Sequence, residues 1–300
     1  MTGRTVVVGG AGAVGGLFAR LCLRRGPVVS VDVRPCDVEG VESVVGDARV
    51  PSVAVLDAVR SADVVVLALP ESVALVAAEA CAQAVGAGAL LVETLSVQQV
   101  VTRGLTALAE ERGAEVCGLN PMFAPGLGFA GNAVAAVRVV DGPRTAELLD
   151  LVAAEGARVV GLSAEEHDRT TAVLQVATHA AVLAFGAVVA DHGDPSVLIG
   201  LAPPPHLTML AVLARITGGN PDVYWDIQAA NPHAAAARAA LGEAVLSLDK
   251  LASAGDDTGF QDWVRRIEDG LGDHAPRLRD RCARLFADGP IRGMDGTWTS

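Results

Sequence analysis

Thr5-Val6-Val7-Val8-Gly9-Gly10-Ala11-Gly12-Ala13-Val14-Gly15 is a short apolar run, a cluster of glycines and then the apolar start of a helix. The β-branched run reads as a buried strand, and the spacing Gly10-x-Gly12-x-x-Gly15 as the tight turn that joins it to the helix. Gly10 allows the turn, Gly12 lets the backbone approach a pyrophosphate, and Gly15 lets the helix pack closely on the sheet. Ala13 and Val14 open that helix, whose N-terminus faces the phosphates. A second apolar run, residues 27–33, carries Asp32 near its end, about 20 residues on, where a carboxylate would take the hydroxyls of an adenosine ribose. Asp32 favours NAD because a carboxylate repels a 2′-phosphate, while Arg34 beside it leaves NADP open. Leu69-Pro70, ending the run at residues 62–69, is expected to line the same crevice.

Outward from this turn, Val-rich runs at residues 89–93, 115–119, 133–140 and 157–162 alternate with helical stretches. A parallel sheet covered by helices on both faces requires this alternation, so residues 1–163 are expected to form a Rossmann-type, doubly wound α/β dinucleotide-binding domain. Beyond Ser163 the strand runs stop. Ala/Leu-rich segments at 164–191, 206–217, 221–228, 232–254, 260–271 and 275–286 predict an all-helical domain over residues 164–300, for substrate binding and dimerisation. Pro203-Pro204-Pro205, Gly218-Gly219-Asn220-Pro221 and Asn231-Pro232 fall where those helices should break.

Composition excludes several classes. With 300 residues and 51% hydrophobic content, the chain can bury a full core. A net charge of −12 argues against a nucleic-acid surface, which needs clustered cations. No apolar run is expected to span a membrane, and the N-terminus lacks a secretory pattern, which predicts a cytoplasmic protein. Cys22, Cys36, Cys81, Cys117 and Cys282 are scattered, so reduced structural thiols are expected and no metal site. The helices around 206–217 and 232–251 are too apolar to be solvated on all sides, which predicts a homodimer.

Further along, Leu119-Asn120-Pro121-Met122-Phe123-Ala124-Pro125 resembles the His-Pro-Met-Phe-Gly-Pro signature of the prephenate dehydrogenase family, with Asn120 where that family keeps its catalytic histidine. Glu93-Thr94-Leu95-Ser96-Val97-Gln98 resembles the family's Asp-x-x-Ser-x-Lys, with Ser96 retained and both flanking polar positions changed. Glu166-His167-Asp168 is similar to the segment entering the interdomain helix, and Gln175-Val176-Ala177-Thr178-His179 to the Gln-x-x-x-His on it. Leu213-Ala214-Arg215-Ile216-Thr217, followed by Asn220-Pro221-Asp222-Val223-Tyr224-Trp225-Asp226-Ile227, looks like the family's arginine helix and its sequel. The resemblance covers nearly the whole chain. It implies Asn120, Ser96 and His179 as catalytic residues, Arg215, Gln175, Met122 and Phe123 as substrate contacts, and a small dicarboxylate as substrate. Arginine suits the last role because its planar, permanent charge grips a carboxylate with two hydrogen bonds. His167 and Asp168 start the interdomain helix and read equally as part of the family's segment or as polar residues complementing the helix dipole.

The family reaction transfers a hydride from C4 of a cyclohexadienyl acid to nicotinamide while the ring carboxylate leaves as CO2. A histidine takes the proton of a C4 hydroxyl; an asparagine cannot. A C4 amine needs such help less, since its nitrogen lone pair donates strongly into the developing cation. The expected substrate is therefore 4-amino-4-deoxyprephenate, giving 4-aminophenylpyruvate. Three alternatives stand beside it: an ordinary prephenate or arogenate dehydrogenase with a substitute base, another Rossmann-plus-helical dehydrogenase or imine reductase, and a non-catalytic nucleotide sensor. The absence of any lysine before Lys250 counts against a 3-hydroxyacid dehydrogenase, whose interdomain helix carries one.

Overall fold

The computed structural model describes residues 3–288. β1 (Thr5–Val8) leads through the glycine turn into α1 (Ala13–Cys22), then β2 (Val28–Asp32), β3 (Val41–Val45), α2 (Val53–Arg60), β4 (Val64–Leu67) and α3 (Glu71–Ala84). β5 (Leu90–Glu93), α4 (Gln99–Arg112), β6 (Glu115–Pro121), β7 (Ala133–Val140), α5 (Pro143–Ala154) and β8 (Arg158–Gly161) complete the sheet region. The sheet order is β3-β2-β1-β4-β5-β6-β7-β8. Neighbours from β3 to β6 run parallel, β7 is antiparallel to β6, and β8 is parallel to β7. This is a Rossmann-type doubly wound sheet. Its order reverses between β1 and β4, the place where such sheets open a crevice at their carboxyl ends.

The valine runs are continuous because both faces are buried. Val6, Val8, Val29, Val31, Val65 and Leu67 pack under α2, α3 and α4 on one face. Val7, Val28, Val64, Val66 and Leu90 pack with Phe18 of α1 and Leu148 of α5 on the other. Successive strand residues therefore belong to different cores, as a period of two demands. The expected strands appear, two with the expected ends and the rest with ends shifted by one or two residues. β3 was not expected: it is an edge strand with mostly open side chains, and Val-Glu-Ser-Val-Val shows no buried run.

Beyond β8 the described chain is helical: α6 (Ala164–Thr171), a π-helical stretch (Ala172–Ala177), α7 (Thr178–His192), α8 (Pro195–Leu201), α9 (Pro204–Thr217), α10 (Pro221–Ala230), α11 (Ala234–Ala254), α12 (Asp257–Leu271) and α13 (Ala275–Asp288). The expected helix over 164–191 is thus interrupted by a wider turn, and α8 is additional. The compact units divide later than residue 163. One runs to Ala172 and takes in Asp226–His233; the other holds Val173–Trp225 and the chain from Ala234. α6 belongs to the first because His167, Asp168 and Thr171 bury their side chains there, hydrogen-bonded to residues far away in sequence.

Ala164–His192 is long and apolar enough to cross a membrane by length and composition alone, contrary to the expectation that no run would qualify. Gln175, Thr178 and His179 interrupt it, and in α7 only Val182 is buried.

Candidate active site

The glycine turn is shaped by what it cannot hold. Gly9 has a φ of 87°, in the left-handed region, and a Cβ there would meet the Ala68 carbonyl group and the Leu69 side chain. A Cβ on Gly15 would strike the Gly9 carbonyl and lie 2.8 Å from Gly10 Cα. Gly12 caps α1 without a side-chain hydrogen bond, so the positive end of the helix has no side-chain cap. Asp32 Oδ2 accepts the Ala11 N–H at 3.1 Å, and Arg34 Nη2 donates to the Ala11 carbonyl at 2.9 Å. Ala13 is exposed and Val14 half-buried at the start of α1, while Pro70 caps α3 beside Leu69. The structure brings the expected dinucleotide residues together. A backbone cradle open to an anion, with a carboxylate beside it, fits a pyrophosphate and a ribose.

Asn120 sits near the end of β6, only 4% exposed, and its Nδ2 lies 3.1 Å from His167 Nε2. His167 Nδ1 lies 2.9 Å from Asp168 Oδ1, and neither residue has any exposed surface. An amide nitrogen only donates, so His167 Nε2 accepts and the ring proton sits on Nδ1, bonded to Asp168. That leaves Asn120 Oδ1 as a free acceptor, with no hydrogen bond to any described residue. Asp168 in turn accepts the Gln98 N–H at 2.7 Å and the Gln99 N–H at 2.9 Å, the first amides of α4. Burial works against its charge. The His167 proton and the two amides outweigh that and hold the carboxyl below its ordinary range. The backbone of α6 is fixed at its start by the capping box of Ser163 and Glu166 and near its middle by Asn231 Nδ2, which donates to the Asp168 carbonyl at 2.8 Å.

Ser96 is half-buried in the turn between β5 and α4, on the same unit as Asn120. For Glu71, which begins α3, burial, then the charge of Asp226, pushes the carboxyl up to about 7, against the opposing pull of the backbone N–H of Val97, the residue after Ser96. Met122 donates its N–H to the Ala133 carbonyl. Phe123 stacks edge-on against Phe129, which stacks in turn on Phe18, so its ring is committed to packing.

The second unit carries Gln175, His179 and Arg215. Gln175 lies in the π-helical stretch, a distortion common at functional sites. His179 stacks edge-on against Tyr224 at 5.1 Å, with its Nδ1 buried and without a partner. Burial, and after it the charge of Arg215, lowers its pKa. Arg215 is exposed in the last turn of α9 and forms no salt bridge among the described residues. α7 and α9 approach closely where Gly186 faces Leu213: an added Cβ would lie 2.5 Å from the leucine. Sequence reasoning did not place His167 and Asp168 in the site. The available signal was the Glu166-His167-Asp168 segment, which reads equally well as a helix start until its partners 47 and 70 residues away are seen. Among the described residues no group of three or more His, Cys, Asp or Glu side chains is placed to hold a metal.

A family model described as the prephenate dehydrogenase dimerization domain matches residues 163–265. The 4-amino-4-deoxyprephenate dehydrogenase of Streptomyces pristinaespiralis is 49% identical over 287 residues, 95% of this chain and 96% of that protein. Among solved structures, prephenate dehydrogenase from A. aeolicus in complex with hydroxyphenyl propionate and NAD+ aligns with a TM-score of 0.69 at 18% identity, over 88% of this chain and 96% of that one. Synechocystis arogenate dehydrogenase aligns with a TM-score of 0.65 at 17% identity, over 91% and 99%. The solved structures establish the fold, and the extent and identity of the Streptomyces match establish the kinship: the chain belongs to the prephenate dehydrogenase family.

Proposed function

We propose that this enzyme oxidises and decarboxylates 4-amino-4-deoxyprephenate, with NAD as acceptor, to 4-aminophenylpyruvate and CO2. The observation that carries the reading is the hydrogen-bond chain Asp168–His167–Asn120, supported by the 49% identity to an enzyme named for that substrate. The chain fixes the amide with its nitrogen turned inward and its oxygen left to accept. A substrate nitrogen, as amine or ammonium, brings the N–H that this oxygen lacks; its lone pair, once free, needs no concerted proton removal. The buried Asp168 carboxylate polarises the chain toward positive charge, which suits an ammonium or an iminium-like transition state.

NAD, when bound, supplies the hydride acceptor; Gly10, Gly12 and Gly15 with the α1 N-terminus would hold its pyrophosphate and Asp32 its ribose, with NADP the alternative that Arg34 admits. Ser96 is assigned to the same substrate nitrogen, and Arg215 and Gln175 to carboxylate contacts. His179, whose pKa burial and then Arg215 lower, is assigned the ammonium proton. The electron pair of the departing carboxylate's C–C bond enters the ring as C4 loses hydride, and the ring becomes aromatic. Residues 163–265 are assigned to dimerisation.

The test is a spectrophotometric assay of each substrate with each cofactor, on the wild type and Asn120→His. The wild type should prefer the amine in kcat/KM. The histidine variant should gain on prephenate by roughly 10²–10⁴, the worth of a general base. A wild type that prefers prephenate, unchanged by the substitution, would overturn the substrate while leaving the reaction class intact.

A further inference from the structure

Two buried oxygens meet in the turn that follows β5. Glu93 and Gln98 are both 0% exposed. Glu93 Oε2 accepts the Leu95 N–H at 2.8 Å, and Gln98 Nε2 donates to the Leu95 carbonyl at 3.0 Å. Glu93 Oε1 and Gln98 Oε1 are left buried without a partner. A Cβ built on Gly118 would fall on both of them, so the two oxygens lie over the same bare Cα of β6, the residue paired with Glu93 in the sheet. Both oxygens border the same point over Gly118 with no donor beside either, and two buried acceptors that share such a point need a proton between them. Turning the Gln98 amide over would give Glu93 Oε1 an N–H but lose the bond to the Leu95 carbonyl and set the amide oxygen against it.

We propose that Glu93 works as a protonated acid whose Oε1–H donates to Gln98 Oε1, and that this uncharged bridge is a positioning device for Asn120. The route is short. The same Gln98 gives its backbone N–H to Asp168, which holds His167, which holds Asn120. The bridge therefore sets one end of the hydrogen-bond chain whose other end faces the substrate nitrogen, and its effect on catalysis rests on that reading of Asn120.

The titratable groups acting on Glu93 are Glu71 on α3 and Asp168 on α6, and Glu93 in turn acts on the Cys117 thiol of β6. Burial pushes Glu93 up to about 8; the Leu95 N–H and Gln98 oppose the rise, and the two carboxylates add to it. With the folded value raised above the ordinary 4.5, the proton's contribution to stability is full below about 4.5 and is lost as pH rises through about 8. Ionisation would set an unpaired charge against the Gln98 carbonyl and loosen the turn.

The experiment compares the full-length wild type with Glu93→Gln and Glu93→Leu, measuring kcat/KM and Tm from about pH 6 to about pH 10. An infrared difference spectrum between wild type and Glu93→Gln accompanies them, in the region of a protonated carboxyl C=O stretch. The amide of Glu93→Gln can donate to Gln98 Oε1 and accept from Leu95, so it should keep kcat/KM within a few-fold, flatten the alkaline fall in Tm and remove the carboxyl band. Glu93→Leu can do neither and should lose at least ~10-fold in kcat/KM. Absence of the band, or an alkaline fall in Tm that survives in Glu93→Gln, would overturn the proposal. Both readouts need no substrate, so they succeed or fail independently of the substrate assignment.

Discussion

Asp32 holds the glycine turn in the fold, and the ribose role proposed for it uses the same carboxylate. Its Oδ2 ties the Ala11 amide to the end of β2, which helps shape the glycine turn, while Oδ1 accepts the Arg34 N–H at 3.4 Å and the carboxylate stays half-exposed. Replacing Asp32 with Ala should weaken NAD binding by ~10-fold or more, the worth of a charged hydrogen bond of about 1.5–3 kcal/mol. NADP should lose less, because the carboxylate that repels its phosphate is also gone. Fluorescence titration of both cofactors measures this, and equal losses would remove Asp32 from the ribose. Its place beside the turn was legible in the sequence because that place depends on local order: a strand, a turn and a distance along the chain. Asn120 was legible for a different reason, as the departure in a signature otherwise kept. The orienting pair His167–Asp168 was not, since its meaning lies in hydrogen bonds to Asn120 and Gln98, which no spacing encodes.

At the level of elements, the unit that matters most is β1, its turn and α1. Gly15 is the point where helix and turn touch. A Cβ there would strike the Gly9 carbonyl and Gly10 Cα, which are backbone and have nowhere to rotate. Gly15→Ala should therefore raise KM for the dinucleotide strongly and lower Tm, even though alanine is favoured over glycine inside a helix by about 1 kcal/mol. A variant with unchanged KM and a higher Tm would mean that helix propensity, not the close approach, dominates. The same logic explains which elements the sequence announced. Strands buried on both faces needed continuous apolar residues and could be seen; β3, open along its edge, needed none. The π-helical stretch around Gln175 also left no mark, because a single wide turn keeps the apolar composition of the helix around it. Its position, at the change from one compact unit to the other, could be found only from the folded chain.

For the whole molecule, the surface of the helical half poses an energetic problem. Leu201 is 80% exposed and Trp225 70%, and Val173, Leu174, Val188, Val245 and Leu246 are also open. Single exposed apolar residues are ordinary, but seven of them on the π-helical stretch, α7, α8, α10 and α11 are more apolar area than water favours, and they should be covered. The matched family model carries the description of a dimerization domain over residues 163–265, which supports a second copy as the cover. Each copy carries a net charge of −12, so association works against long-range repulsion and must draw on buried apolar area. Light scattering at micromolar concentration should thus give about twice the 30.5 kDa of one chain. Raising the salt should tighten the dimer, since added ions screen the repulsion and leave apolar burial intact. An interface built on ion pairs would respond in the opposite direction. Val188→Arg or Leu246→Arg, which set a cation on that open surface, should shift the mass toward one chain. A wild type of single-chain mass would rule out the second copy as the cover.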